Sequence, residues 1–410
     1  MSTAAPTETR PQAGEGGGIS AAMRTVWEKW KAGDVGSMPV IVGLVIITAF
    51  FTAKSSIFFT AVNFDNLMVQ AAGTTTIAIG VVFVLLIGEI DLSIGYVSGV
   101  AGVTVAELQQ PGSGHNLGGV GAIVVALLIG AAIGAAQGSI VAYVGVPSFV
   151  VTLAGYLVWQ GVILHLLGSE GVIGIQNSLI NNVANYFLSD TVGWAVSVIV
   201  AVGYAASVVG SYVSRRRAGV ATGSVILMVV RIVLVAGLAF GVVAISNHSR
   251  GVAFAMLLVV GLVGFWSYIA SRTTFGRHVY AVGGNAEAAR RAGINVPRIR
   301  VLVFMISGTM AAMGGIVFAS RLNSVDLTAG SGTILLDAIS AAVIGGTSLF
   351  GGRGRVSSAL FGGLIIATVS NGIDLVGYSD AIKDVTTGLI LLGAVTLDTV
   401  SRRRLERSGR

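Results

Sequence analysis

The sequence has no cysteine, only six prolines and few charged residues, and each shortage narrows what the protein can be. Without cysteine there can be no disulfide, no thiolate nucleophile and no Cys-ligated metal. Charged residues make up 10% of the 410 residues, whereas a soluble domain carries roughly 25%. So few charges cannot cover the surface of a water-soluble globule of this length.

Long apolar runs and glycine take the place of the missing charge. The composition is 54% hydrophobic with a mean hydropathy of +0.86, and about 18–20 apolar residues suffice to span a bilayer. The sequence therefore predicts an all-α, polytopic membrane protein with about 10–12 transmembrane helices. We predict apolar segments at 38–53, 67–88, 92–107, 119–143, 148–167, 192–213, 223–245, 252–270, 301–319, 334–350, 356–376 and 384–400.

Two of these segments, 92–107 and 334–350, are short for a full crossing. Irregular backbone is tolerated at membrane depth where protein or a water-filled cavity surrounds it. We therefore treat both as candidates for broken or re-entrant helices.

The distribution of Lys and Arg predicts the orientation, because cytoplasmic loops carry an excess of both. With a cytoplasmic N-terminus, twenty of the 25 Lys and Arg residues fall inside and three fall outside. Both termini are therefore predicted to be cytoplasmic. The net charge of +7 then reflects topology and contact with the lipid bilayer, with no nucleic acid partner. The predicted regions are a cytoplasmic tail (1–36), a transmembrane domain (37–400, with a cytoplasmic loop at 271–300) and a basic cytoplasmic tail (401–410).

Two connections outside the bilayer core carry further patterns. Residues 21–32 interleave aromatic and basic side chains at helical spacing, which is typical of an interfacial helix. The alternative is a solvated tail. On the predicted outer side, the stretch at 168–190 is rich in Asn and lacks Lys and Arg. It is either a lip that receives a soluble partner or a plain connector.

The loop at 271–300 contains a short capped helix within GGNAEAARRAGINVPRIR. Asn285 is a good N-cap, and Glu287 suits the positive end of the helix dipole. Arg290 and Arg291 suit the negative end, and Gly293 provides a left-handed stop. A helix this short is marginal alone, so we expect a docking partner to hold it. The alternative is a solvated turn between two spans.

The spacing E-A-A-x-x-x-G in this helix resembles the cytoplasmic EAA motif of ABC importer permeases, although NVPRIR replaces the I-x-L-P ending of the fuller motif. Four longer stretches, at 88–99, 146–161, 271–296 and 335–356, resemble the ribose/xylose branch of ABC sugar permeases. The similarity covers most of residues 60–400. The pair of spans at 192–245 resembles the longer, xylose-type members of that branch.

The resemblance implies the permease subunit of a bacterial pentose importer in the inner membrane. It implies three partners: an ABC ATPase subunit that binds ATP and Mg²⁺, an extracytoplasmic sugar-binding protein, and a second copy of this chain in a homodimer. In that family the short helix docks into the ATPase. The residues carried over to this role are Asn285, Glu287, Ala288, Ala289, Arg290, Arg291 and Gly293.

No reactive site of its own is apparent in the chain. The phosphate-binding pattern G-x-x-x-x-G-K-[ST] does not occur, and GGTSLFGGRG lacks its lysine. The four histidines are scattered, and no His/Cys/Asp cluster has metal-ligand spacing. We therefore expect no catalytic residue, no metal site and no cofactor in this chain, and a membrane enzyme lacks support.

Carboxylates near the bilayer are costly and often functional. Glu89 and Asp91 could cap the following helix, with Asp91 as N-cap, contact the ATPase, or bind a coupling proton. Asp337 is more simply explained by hydrogen bonding to a neighbouring helix. Gly345 and Gly346 interrupt a span, either as a gate beside a cavity or for close helix packing.

A path for a neutral sugar needs weakly polar side chains. For each residue singly, bonding between helices is the alternative. The candidates are Gln70, Thr74, Thr75, Thr76, Trp159, Gln160, Asn323, Thr347, Ser348 and Asn371. The alternative for the whole chain is an ion-coupled secondary transporter of a small polar solute, which would use membrane carboxylates and has no need of a capped cytoplasmic helix.

Overall fold

The computed structural model describes residues 38–111, 114, 116–168, 170–220 and 224–407. The interfacial helix predicted at 21–32 and the last residues of the basic tail lie outside these ranges. The elements are α1 (Met38–Lys54), α2 (Ala61–Leu86), α3 (Ile94–Leu108), α4 (Gly118–Ser139, extended by a π-turn to Val144), α5 (Ser148–Leu167), β1 (Val172–Gly174), α6 (Ser178–Asn185), α7 (Asp190–Arg217), α8 (Val225–Ser246), α9 (Phe254–Arg272), α10 (Thr274–Gly284), α11 (Ala286–Arg291), α12 (Val296–Leu322), β2 (Ser324–Asp326), α13 (Ile334–Ile344), α14 (Ser357–Val376) and α15 (Asp380–Arg407).

The predicted polytopic helical architecture is confirmed. In the described ranges, eight helices are long and apolar enough to cross a membrane, and α1, α3 and α13 are shorter apolar helices. Each predicted apolar segment overlaps one helix of the structure. The last helix, α15, continues to Arg407, past the predicted boundary at 400. The cytoplasmic position of the termini stays a prediction.

The two segments predicted to be short are short in the structure. The 15 residues of α3 span roughly 22 Å and the 11 residues of α13 roughly 16 Å, against a hydrocarbon core of about 30 Å. α13 ends where Gly345 and Gly346 begin a turn, so the interrupted span predicted there is present.

Residues 194–241 form one compact unit, and residues 38–193 with 242–407 form another. The first unit consists of most of α7 and α8, whose Trp194 and Phe240 rings stack with their centroids 6.0 Å apart. The second unit contains the other helices and the two strands.

The core of the larger unit is built on α2 and α12. α2 is buried along most of its length, and α12 packs against α2, α3 and α4. The α4–α12 contact is made by glycines: a Cβ atom on Gly134 would overlap the Phe304 carbonyl oxygen, and one on Gly308 would overlap the Gly130 carbonyl oxygen. Small residues let helix backbones approach closely where lipid offers no hydrophobic drive for association.

The connection predicted at 168–190 is an ordered element. β1 and β2 form an antiparallel ribbon in which Ile173 pairs with Val325, and both side chains are buried. Its asparagines are bonded: Asn177 caps α6 by accepting from the Leu179 N–H at 3.0 Å, and Asn181 Nδ2 donates to the Ile175 carbonyl at 2.8 Å. The Asn-rich composition therefore serves local hydrogen bonding, which the sequence analysis did not identify.

The α4–α12 contact predicts a large effect of one added methyl group. Gly134→Ala should lower the thermal stability of the detergent-solubilised protein by an amount equivalent to about 1–3 kcal/mol, because the new Cβ has to displace the α12 backbone. Gly161→Ala is the matched control, since Gly161 lies within α5 and a Cβ atom there would have no neighbour within 4 Å. Equal melting temperatures for the two variants would contradict this packing.

Candidate functional site

The short helix predicted in the 271–300 loop is present as α11, with both predicted ends. Asn285 Oδ1 accepts a hydrogen bond from the Ala288 N–H at 2.9 Å. At the other end, Gly293 has φ +85°, its N–H donates to the Arg290 carbonyl at 3.0 Å, and the Ile294 N–H donates to the Ala289 carbonyl at 3.0 Å. This pair of bonds is a Schellman motif, which satisfies carbonyls that the helix leaves free.

One face of α11 is charged and exposed. Glu287 pairs with Arg290 at 3.4 Å and with Arg291 at 3.3 Å, and all three side chains are more than half exposed. Pairs of this kind add only about 0.2–0.5 kcal/mol each to a helix. These charges therefore contribute little to holding the helix and stay accessible to a partner.

The opposite face of α11 is held by the chain itself. Ala289 is buried in the core, and Ala286 and Ile294 pack against it, while the helix contacts α10 and α12. The support that the sequence analysis assigned to a docking partner is thus already supplied within the protein. Docking of an ATPase at Asn285, Glu287, Ala288, Ala289, Arg290, Arg291 and Gly293 stays a prediction.

Asp91 is buried and hydrogen-bonded, and of the three roles left open for it the structure does not support that of N-cap. The residue before α3 is Ser93, whose side chain forms no cap bond. Asp91 Oδ1 accepts from the Ser93 N–H at 3.0 Å and from its hydroxyl at 2.7 Å, and Oδ2 accepts from the Ser307 hydroxyl at 2.9 Å. The carboxylate therefore joins the segment before α3 to α12, which supports the structural alternative.

Glu89 has an ionic partner that the sequence did not indicate. Its Oε1 lies 3.2 Å from Arg300 Nε, and both side chains are largely buried. Arg300 is in the first turns of α12, just after α11, so this ion pair connects the end of α2 with the far side of the short helix.

Asp337 and the glycines after α13 have local roles. The Thr333 hydroxyl, just before α13, donates to Asp337 Oδ2 at 2.8 Å, so this bond is local and not to a neighbouring helix as the sequence analysis expected. A Cβ on Gly345 would overlap the Ser358 carbonyl oxygen at the start of α14, which favours close packing at that position. Gly346 has φ +103° and allows the chain to turn. A gating role for this break stays a prediction.

Two of the residues predicted to line a sugar path lie on one accessible stripe of α2. From Leu67 to Leu86, Gln70 and Thr74 are the residues of α2 that are not fully buried, and their spacing of four places them on one helix face. Thr75 and Thr76 are buried, and the Thr76 hydroxyl donates to the Ala72 carbonyl at 2.8 Å.

The other path candidates do not join this pair in one cluster. Asn371 accepts from Asn63 Nδ2 at 2.9 Å, and Asn323 accepts from Asn185 Nδ2 at 3.2 Å. Each therefore bonds one element to another, which was the alternative to lining a sugar path. Trp159 and Gln160 lie half-buried on α5, while Thr347 and Ser348 are buried in the turn after α13, where the Ser348 hydroxyl donates to Asp398 at 3.0 Å.

The turn after α13 also meets the segment before α11. The Tyr280 hydroxyl donates to the Gly354 carbonyl at 2.9 Å. Burial raises the pKa of this phenol, so the hydroxyl keeps its proton and stays a donor throughout the neutral range. Over the residues described, no group of three His, Asp or Glu side chains is arranged to hold a metal ion.

The sequence was compared with known proteins. The family model described as branched-chain amino acid transport system / permease component matches residues 63–395. The chain belongs to this permease family. The match begins near the start of α2 and ends within α15, so it includes α11 and the buried helices around it.

Curated relatives of this permease cover nearly its whole length. The xylose transport system permease protein of Escherichia coli is 34% identical over 98% of this chain and 100% of its own. That of Haemophilus influenzae is 34% identical over 89% and 96%, respectively. The ribose import permease protein of Escherichia coli is 31% identical over 87% and 92%. No solved structure matches the chain.

Sequence reasoning missed three contacts of this site: Glu89 with Arg300, Tyr280 with Gly354, and the packing of Ala289. The first two join residues far apart in the sequence, and nothing local marks them. The third had a signal, because alanine and isoleucine in a charged loop offer an apolar face to the bundle.

The N-cap predicts the local stability of α11. Asn285→Ala should speed backbone hydrogen exchange over residues 286–292 by roughly fivefold, because the cap bond contributes about 1 kcal/mol. Asn285→Asp is the control, since its carboxylate accepts the same bond. Exchange in Asn285→Ala that matches the wild type would show that the cap does not hold the helix.

The bonds of Asp91 predict different outcomes for two substitutions. Asp91→Asn keeps an oxygen acceptor and should retain uptake within about threefold, whereas Asp91→Ala leaves buried hydroxyl and N–H groups unpaired and should lower stability by about 1–3 kcal/mol. Uptake in cells and thermal unfolding in detergent check both. Abolished uptake in a well-folded Asp91→Asn protein would instead point to a coupling proton.

Proposed function

We propose that this chain is the membrane-spanning permease subunit of a bacterial ABC importer for a monosaccharide, powered by a separate ATPase subunit. The observation that carries the proposal is α11: a short helix capped at both ends, seated on the bundle by its apolar face, with Glu287, Arg290 and Arg291 exposed on the other. Such a surface fits a soluble partner. The relatives named as sugar permeases support the same interpretation.

The proposed substrate is a pentose, with xylose preferred. The family description mentions branched-chain amino acids, but the relatives cited above are named for xylose and ribose. The alignment with the xylose permease covers 405 residues, against 361 for the ribose permease. That longer alignment favours the xylose type, which the pair of helices α7 and α8 also resembles.

The proposed complex has several parts. Two ATPase subunits, which supply ATP and Mg²⁺ binding, would dock on the cytoplasmic loops of a permease homodimer in the inner membrane. A sugar-binding protein would deliver its cargo to the outer face, where the ribbon of β1 and β2 and the bonded asparagines of α6 form an ordered surface. The positive-inside distribution of Lys and Arg supports cytoplasmic termini.

The proposed mechanism is alternating access. Closure of the ATPase dimer on ATP displaces α11, and the helices that contact α11 pass the displacement to the spans. Gln70 and Thr74 are proposed to face the sugar, since their amide and hydroxyl groups offer donors and acceptors on the stripe of α2 that is accessible. Weak polar contacts suit a substrate that must leave again.

An ion-coupled secondary transporter is the competing proposal. It would rest on buried carboxylates, which among the described residues include Asp65 in α2 and, before α3, Asp91. Three hydrogen bonds to the Asp91 carboxylate give it a structural role, and a secondary transporter leaves the exposed charges of α11 without a purpose.

A pull-down of tagged protein tests the docking proposal. Glu287→Arg/Arg290→Glu/Arg291→Glu reverses the exposed face of α11 while keeping its caps, so co-purification of the ATPase subunit in mild detergent should fall roughly tenfold or more. Arg216→Glu, in the last turn of α7, changes the net charge by the same amount and is the matched control.

The two proposals predict different results in this experiment. A wild-type protein that purifies with an ATPase, a reversed-face variant that does not, and an Arg216→Glu variant that does, would support docking at α11. An ATPase that stays bound to the reversed-face variant would place docking elsewhere. A wild-type protein that purifies alone, with uptake that survives ATP depletion, would favour the secondary transporter.

A further inference from the structure

Three chain segments meet beside α11 through their backbones. The Gly352 N–H donates to the Leu86 carbonyl at 2.9 Å, which satisfies a carbonyl that the end of α2 leaves free. A Cβ atom on Gly283 would overlap that same carbonyl oxygen and would lie 2.7 Å from the Gly352 nitrogen. We call residues 86–88, 283 and 351–352 the glycine joint.

The 345–356 turn also makes close backbone contacts in the glycine joint. A Cβ on Gly351 would lie 2.8 Å from the Gly283 carbonyl oxygen and 3.0 Å from the Gly88 nitrogen. Gly88, Gly351 and Gly352 all have positive φ, between 72° and 83°. Glycine adopts this conformation without the penalty that a side chain would bring. Both the tight contact and the backbone conformation therefore require glycine here.

Two side-chain contacts reinforce the glycine joint, one before α11 and one after it. Tyr280, one turn before Gly283, donates its hydroxyl to the Gly354 carbonyl at 2.9 Å. After α11, Arg300 pairs with Glu89, directly beyond the end of α2, at 3.2 Å. The two ends of the segment that carries α11 are thus attached to α2 and to the turn between α13 and α14.

Backbone contact makes this junction stiff. Side chains at an ordinary interface can change rotamer and absorb a shift, whereas a carbonyl oxygen packed against a glycine Cα leaves no such freedom. Gly283 is only three residues before Ala286, the first residue of α11. A displacement of α11 must therefore either move the end of α2 and the 345–356 turn or break the joint.

We propose that the glycine joint transmits the displacement of α11 to α2 and to the turn between α13 and α14. The inference rests on the proposed function, and it assigns a role to residues outside the docking surface. Gly283 and Tyr280 are positioning residues. Gly283 acts through the end of α2, whose Gln70 and Thr74 occupy the accessible stripe, and Tyr280 acts through the turn between α13 and α14. A shift of α2 moves that stripe.

Two neighbouring glycines provide a matched test. Gly283→Ala places a methyl group into the Leu86 carbonyl, whereas no atom lies within 4 Å of a Cβ on Gly284. Both glycines are in the last turn of α10, so the two alanine variants change helix propensity alike. Tyr280→Phe removes only the hydroxyl that reaches Gly354, and it serves as a milder second probe.

The variants should be purified with their ATPase subunit and reconstituted with the sugar-binding protein, with xylose as the probe. Three quantities are measured: the ATPase retained, ATP hydrolysis, and xylose uptake per ATP hydrolysed. Gly283→Ala should retain the ATPase and hydrolysis within about twofold and lose about tenfold in uptake per ATP. Tyr280→Phe should lose about fivefold, and Gly284→Ala should match the wild type.

Several outcomes would overturn the proposal. Equal uptake per ATP in Gly283→Ala and Gly284→Ala would show that the joint transmits nothing. If Gly283→Ala does not give a monodisperse protein, Tyr280→Phe decides, and wild-type coupling in it has the same meaning. Loss of the ATPase from both Gly283→Ala and Tyr280→Phe would reduce the joint to a support for docking. A wild-type preparation without any ATPase would overturn the proposed function first, and the joint with it.

Discussion

Close approach of helix backbones is the constraint on which this structure depends. Lipid tails are as apolar as leucine, so helices in a bilayer gain little by hiding apolar side chains from their surroundings and must associate through tight packing. Gly134 and Gly308 bring α4 and α12 into backbone contact in the middle of the bundle. Gly283 and Gly352 do the same around the end of α2, where the chain leaves the spans for α11. Part of the glycine content is thus explained by close contacts at both places.

The same constraint explains how a six-residue helix keeps a fixed position on a large membrane domain. Alone, α11 would be marginal, but its caps, the buried Ala289 and the attachments at Tyr280 and Arg300 fix it to the bundle. Its exposed charges then stand on a rigid base. A partner that pushes on Glu287 and the neighbouring arginines therefore acts on α2 as well as on a surface loop.

Local features of this fold could be predicted from the sequence, and features that depend on distant residues could not. Apolar runs located the spans, and the Asn285 side chain and the freedom of Gly293 to adopt positive φ located the two ends of α11, because capping is decided within a few residues. The role of Asp91 was only half visible: its bond to Ser93 is local, whereas its bond to Ser307 depends on the packing of α12. Polar residues such as Asn371 and Asn323 look alike whether they line a path or bond another helix, so only the structure could assign them to Asn63 and Asn185. The three-residue strands of the ribbon are too short to show any periodicity.

The central claim is that energy reaches this permease from a separate ATPase, and uptake into proteoliposomes tests it most directly. The purified complex would be reconstituted into vesicles with ATP inside. The sugar-binding protein and labelled xylose would be added outside, with and without a protonophore. We predict uptake that requires both ATP and the ATPase subunit and that a protonophore leaves unchanged. Accumulation of the sugar by the permease alone, driven by an ion gradient in the absence of ATP, would contradict the claim.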